Sequence, residues 1–222
     1  MGSRRAKRIA AKQKGRRKTP RRELVLRLLQ KMPEKYSGVR GHSRLCEIAA
    51  EEIANQLRKK GVEIDPKFVS RAAFAHDAFK QLGAITKETA IAKNYFARKG
   101  FPEFAETLSA THALQKLDPN KLEKISLPKK IIIYCDNVCR GVPIIKGGKI
   151  VGWKNSIFSV EEAWKTVRDR INKGHVEDRQ ILGSNAREFV LTKRIERELV
   201  GMGLDSLRLI RKVRKKFNKK ER

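Results

Sequence analysis

The chain has 222 residues, 40% of them apolar, enough to bury the core of one fair-sized domain with appendages. A formal charge of +29 favours polyanionic partners, and three cysteines, an odd number, exclude a disulfide framework and suit a reducing compartment. No apolar run reaches the ~20 residues of a bilayer span, and no signal-type apolar segment follows the N-terminal charges, so a cytoplasmic location is expected.

Residues 1–22 carry eleven Lys/Arg and no acid, and are expected to be a disordered basic tail. Leu24, Leu26, Leu28 and Leu29 suggest a short helix that Pro33 ends. From Ser43 to Lys60, Cys46, Ala49, Ala50, Ile53 and Leu57 recur at three- and four-residue spacing, a buried helical stripe with Gly61 as its stop. "EIDPKFVSRAAFAHDAFKQLG" reads as a further helix with Asp65 as N-cap, Pro66 in the first turn and Gly83 as stop. Helices over 87–99 and 102–115 follow. "IIIYC" (131–135) is β-branched enough for a strand and equally consistent with a buried helix. "VPIIKGGKIVGW" places two short apolar runs around Gly147-Gly148, a hairpin pattern. Ser159 and Glu162 then form a capping box, with Phe158 and Ala163 as its staple. Helices over 160–172, 185–201 and 205–218 complete the chain. The last carries nine Lys/Arg against Glu221 within 207–222. The class expected is mainly α, with a small β-hairpin, an extra C-terminal helical region and basic tails.

"RAAFAHDAFK" (71–80) sets His76 and Asp77 side by side in an otherwise small and apolar stretch. Burying either group is costly without a partner. They can offer imidazole nitrogen and carboxylate oxygen to one divalent cation if a second helix supplies further ligands; His42 opens the first long helix. A hydrogen-bonded core histidine beside a surface aspartate is the alternative.

"VRGHSRLCEIAAEEIANQLRKKGVEIDPKFVSRAAFAHDAFK", followed by "IIIYCDNV", resembles the HD-domain superfamily of metal-dependent phosphohydrolases over residues 38–141. In that family a His early in one helix, a His-Asp pair in the next and a later Asp bind the metal. The resemblance implies His42, His76, Asp77 and Asp136 as metal ligands, with "IIIYCD" a buried helix delivering Asp136. It further implies an HD-type helical bundle over 23–141, one divalent ion (Mn, Fe, Co, Ni, Zn or Mg), and Asp77 and Lys80 as catalytic residues. Lys80 and Arg140 would bind phosphate oxygens, although Arg140 reads equally as a solvated helix-end cation. His112 falls where many members have a further histidine and would face substrate or serve packing alone. Residues 142–206 would add the hairpin and helices packed on the bundle.

Three departures stand out. The segment soon after the His-Asp pair, "GAITKETAIAKN", lacks the histidine that two-metal members carry there, and Glu88 is its nearest candidate ligand. Phe79 stands where the family often has glycine, which is expected to change access to the site. Cys135 and Cys139, four residues apart around Asp136, suggest either a soft-metal pair or ordinary core packing. Trp153, Trp164 and Phe158 are expected to form a small core beneath the hairpin, with base stacking as the alternative. The function expected is hydrolysis of a phosphomonoester or phosphodiester of a nucleotide or RNA. A nucleic-acid- or ribosome-binding protein on the same scaffold, held through the basic tails, is the competing reading.

Overall fold

The computed structural model describes residues 18–82, 85–108, 119–146, 149–172 and 182–221. Among these are nine α-helices and one two-stranded antiparallel sheet, a mainly helical fold with a small hairpin. In chain order they are α1 (Arg22–Gln30), α2 (Ser37–Lys59), α3 (Pro66–Ala75), α4 (Ile85–Arg98), α5 (Pro102–Leu108), α6 (Leu127–Val138), β1 (Cys139–Lys146), β2 (Lys149–Ile157), α7 (Val160–Asn172), α8 (Leu182–Gly201) and α9 (Ser206–Glu221). No helix among the described residues is long and apolar enough to cross a membrane.

The long helix α2 is the spine. Its stripe of Leu45, Ala49, Ala50, Ile53 and Leu57 is fully buried, and it packs against α3, α6, α9 and both strands. The small alanines let α3 approach closely, through Ala72 and Ala73, which are also fully buried. Several local signals in the sequence act as expected. Asp65 accepts hydrogen bonds from the Lys67 and Phe68 amides at 2.9 and 3.2 Å, capping α3. Gly61 adopts φ +86° as Val62 N–H donates to Leu57 O, closing α2. Ser159 and Glu162 exchange side-chain-to-amide bonds at 2.9 and 3.1 Å, a complete capping box.

Four boundaries differ from expectation, and three of them shape the site. Helix α2 begins at Ser37, so His42 lies in its second turn rather than at its opening. Gly38 and Gly41 sit inside the helix, where the side chains of Trp153 and Asn155 occupy the room above them. Helix α3 ends at Ala75, so the His76-Asp77 pair lies in the turn that follows and not deep in a helix. Backbone bonds there contract to three-residue steps, Ala78 N to Ala75 O and Lys80 N to Asp77 O. Strand β1 starts at Cys139, directly after α6, so Arg140 is a strand residue and not a helix-end cation. Finally, α9 extends to Glu221 and is docked by Leu209, Val213 and Phe217, all nearly inaccessible.

The ambiguous run at 131–135 is the buried middle of α6, with Ile131, Ile132, Ile133, Tyr134 and Cys135 at 0–1% exposure. Burial on every side selects β-branched residues here without making a strand. The hairpin pairs Lys146 with Lys149 and Cys139 with Ile157. Its Gly147-Gly148 turn, the tail to residue 17, and the segment holding His112 lie outside the described residues.

Candidate metal centre and cleft

Three elements deliver the charged side chains to one place: α2 brings His42, the turn after α3 brings His76 and Asp77, and α6 brings Asp136. The Nε2 atoms of His42 and His76 lie 3.3 Å apart, and Asp136 Oδ1 is 3.0 Å from the first and 3.2 Å from the second. Asp77 Oδ2 stands 3.5 Å from His76 Nε2 and 3.9 Å from His42 Nε2. The two buried members, His76 and Asp77, have side chains 0% and 2% exposed, whereas Asp136 at 28% opens onto solvent. All four residues singled out as ligands in the sequence therefore converge.

The tautomer of His76 is set by its other nitrogen. Nδ1 lies 2.7 Å from the Ala73 carbonyl, the acceptor that a further helical bond would have used. In the neutral ring Nδ1–H donates there, which leaves the Nε2 lone pair facing His42 and Asp136. Ending α3 at Ala75 and orienting this imidazole are thus one event.

Charge is held against the cost of burial. Burial works against ionisation of Asp136, but the His76 charge and hydrogen bonds from both imidazoles hold its carboxyl well below the usual range. Asp77 behaves alike: burial opposes it, and His76 and Lys80 more than reverse this, so its pKa is lowered. Burial would depress both histidines. His76 is nevertheless raised well above its ordinary value by Asp77 and Asp136, and His42 is raised to about 9 by Cys46 and Asp136.

Cys46 is a fifth donor near this group. Its Sγ is 3.6 Å from His42 Nε2, and His42, Cys46 and His76 each offer an atom within 4.8 Å of the others, a possible metal-binding cluster. Burial pushes the thiol up, and the neighbouring His42 opposes that rise. The four-residue spacing from His42 was visible in the sequence, where the alternation of the α2 stripe had absorbed it. Cys135 and Cys139 are fully buried free thiols; Cys139 belongs to β1 and not to the helix of Cys135.

A cleft of about 210 Å³ opens beside the cluster, with His42, Asp77 and Asp136 at its base. Lys80 and Arg140 line it as cations. Lys80 Nζ lies 3.1 Å from Asp77 Oδ2, and the Asp77 charge chiefly raises its pKa. Arg140 donates through Nε and Nη2 to the carbonyl and Oδ1 of Asn137, both at 3.0 Å, which fixes the plane of its guanidinium. Glu88 is buried in α4 and adds to the field that raises Lys80.

The aromatic expectations divide. Trp164 stacks on Phe189 of α8 at 5.4 Å, and Phe158 lies under the Arg214 guanidinium at 5.9 Å. Trp153 is not core beneath the hairpin: it is 37% exposed and lines the cleft with Tyr36 and Asn155. Phe79 turns instead into Tyr95 and Phe96, with ring centroids at 5.3 and 6.2 Å. Its bulk serves an aromatic chain that continues to Phe104 and ties the turn to α4 and α5. Comparisons of this chain with family models, curated proteins and solved structures return no match.

Proposed function

We propose that the chain is a metal-dependent phosphohydrolase of the HD type, acting on a phosphoester of a nucleotide or RNA in the cytoplasm. The observation that carries this reading is the convergence of His42, His76, Asp77 and Asp136 within 3.0–3.9 Å at the base of a cleft edged by Lys80 and Arg140. The donor set fits a divalent cation. Two imidazole nitrogens and two carboxylates from separate elements face a common point, and the His76 lone pair is aimed there by its bond to Ala73. Such mixed nitrogen and oxygen sets suit Mn, Fe, Co, Ni or Zn, and a carboxylate-rich set admits Mg.

A cation held by these four residues would supply an acidified water and a Lewis acid for a phosphoryl oxygen. Asp77 would also accept a hydrogen bond from the attacking water, with Lys80 Nζ 3.1 Å from its Oδ2. Lys80 and Arg140 donate to the non-bridging phosphate oxygens, opposing the charge that grows as the ester bond breaks. Because Arg140 is already oriented by Asn137, little reorganisation is needed at that moment.

The test is hydrolysis of p-nitrophenyl phosphate and bis(p-nitrophenyl) phosphate, with each divalent metal in turn, by the wild-type chain and Asp77→Ala. Metal-dependent turnover that disappears in the variant is expected. Equal rates in both proteins, or no turnover with any metal, would overturn the reading.

A second reading, a nucleic-acid-binding protein whose metal is structural, is favoured by one further observation. Helix α9 exposes Arg208, Arg211, Lys215 and Lys219 along its outer face. RNA affinity that falls steeply with salt and survives Asp77→Ala unchanged, without hydrolysis, would select it.

A further inference from the structure

We propose that the cleft carries a stacking site for the base of a nucleoside monophosphate unit, built by Trp153 on strand β2; this rests on the phosphohydrolase reading above. Three glycines determine where the hairpin side chains lie. A Cβ placed on Gly38 of α2 would sit 3.1 Å from Cγ and Cδ1 of the Trp153 indole, and one on Gly141 of β1 would sit 3.3 Å from its Cε3. Both approaches are closer than side chains ordinarily make, so the ring occupies a slot that exists because neither position has a side chain. Asn155 fills the neighbouring slot, and a Cβ on Gly41 would collide with its Nδ2.

The arrangement holds a large aromatic side chain in one position while leaving 37% of it exposed to the cleft. Its place relative to the ligands is also informative. Gly38 lies four residues before His42 on one helix, about 6 Å along the axis. Arg140 directly precedes Gly141 on β1. Trp153 shares one cleft with His42, Asp77 and Asp136, so a base on the indole and a phosphate at the cluster would belong to one nucleotide.

Tyr36 lines the same cleft, adding a second aromatic ring. The volume of about 210 Å³ is below the roughly 300–1,000 Å³ of sites that enclose drug-sized ligands, so a single nucleotide unit fits with part of it in solvent. That opening admits two sources of the same chemistry, a free nucleotide or the phosphorylated end of a strand. Stacking of one base on an aromatic side chain contributes roughly 5- to 150-fold in affinity.

The experiment measures equilibrium binding, by calorimetry, of adenosine 5′-monophosphate, ribose 5-phosphate and a short 5′-phosphorylated oligoribonucleotide. The wild-type chain should prefer adenosine monophosphate to ribose 5-phosphate by tenfold or more. Trp153→Ala should bring the ratio close to one, Trp153→Phe should retain most of it, and Gly38→Ala, which displaces the ring from the opposite side, should reduce it. Tighter binding of the oligonucleotide than of the mononucleotide assigns the site to strand ends; the reverse assigns it to free nucleotides. No wild-type preference, or a preference that Trp153→Ala and Gly38→Ala both keep, would overturn the stacking site. Hydrolysis of p-nitrophenyl phosphate, which has no base, reports separately on the phosphohydrolase reading, so either can fail alone.

Discussion

Two clusters of buried charge sit against helix α2, and their chemistry differs. In one, Glu47 receives Arg71 Nη1 at 2.9 Å and Arg22 Nη2 at 2.8 Å, and Arg22 lies over the Phe74 ring at 4.7 Å. Guanidinium groups keep their charge at any ordinary pH, and donors here meet an acceptor. That cluster joins α1, α2 and α3. In the other, the imidazoles of His42 and His76 face the carboxylates of Asp77 and Asp136, and cohesion rests on histidine protons that titrate. An imidazole can give up its proton and a guanidinium cannot, so of the two clusters the second is the candidate for a cation from outside. The contrast is between a fixed clamp and an exchangeable one, although both are polar and largely withdrawn from solvent.

That contrast can be broken at either end. The largest effect should come from His76→Ala or Asp136→Ala, which should reduce metal-dependent phosphoester hydrolysis to background. In the same proteins a divalent metal should no longer raise the thermal midpoint. For the wild type, a metal at a hundred times its dissociation constant adds about 2.7 kcal/mol, or roughly 5–10 °C for a chain of this size. Lys80→Ala leaves the ligands in place and should lower the rate about 10²- to 10³-fold, read as kcat with metal saturating. Glu47→Ala should act in the opposite pattern. It should cost about 3 kcal/mol in denaturant unfolding, because Arg71 is left buried without its carboxylate, while the metal-induced rise in midpoint persists.

The smallest effect concerns the docking of α9. Glu52 is buried, with Lys212 at 2.9 Å and Lys216 at 3.5 Å. Burial opposes its charge, but the two lysines and Gln56 prevail, and its pKa is lowered from 4.5. The stability this supplies is complete above pH 4.5 and is lost as the pH falls through the lower folded value. Glu52→Gln should cost about 1 kcal/mol at neutral pH and flatten the acid limb of a pH–unfolding curve.

The helical frame was legible in the sequence because its signals are local, and the four candidate ligands were picked out there as residue types. Asp65, Gly61 and the Ser159–Glu162 pair act within a few positions of themselves. The ligands were visible because histidine and aspartate are conspicuous in alanine-rich stretches. What could not be read were features decided by distant neighbours. Gly38 and Gly41 carry no evident role until Trp153 and Asn155, more than a hundred residues later, are seen to occupy the space above them. Two glycines three apart inside a helical pattern were the available hint of a close approach. Phe79 looked like an obstruction to the site, and its partners Tyr95 and Phe96 belong to another helix. The end of α3 was equally opaque, since it depends on which carbonyl the His76 ring takes.

The hairpin has no hinge at its root. Cys139 N–H donates to Cys135 O at the last turn of α6, and Phe158 N–H donates to Val138 O at 2.9 Å, so both of its ends are fastened to the same helix terminus. Asp136 lies within that terminus. Any force that a bound molecule exerts on the strands is therefore delivered to the segment that carries this carboxylate. The eighteen residues between these fastenings include Arg140, Gly141, Trp153 and Asn155 of the cleft, so the cleft wall and this carboxylate share one anchorage.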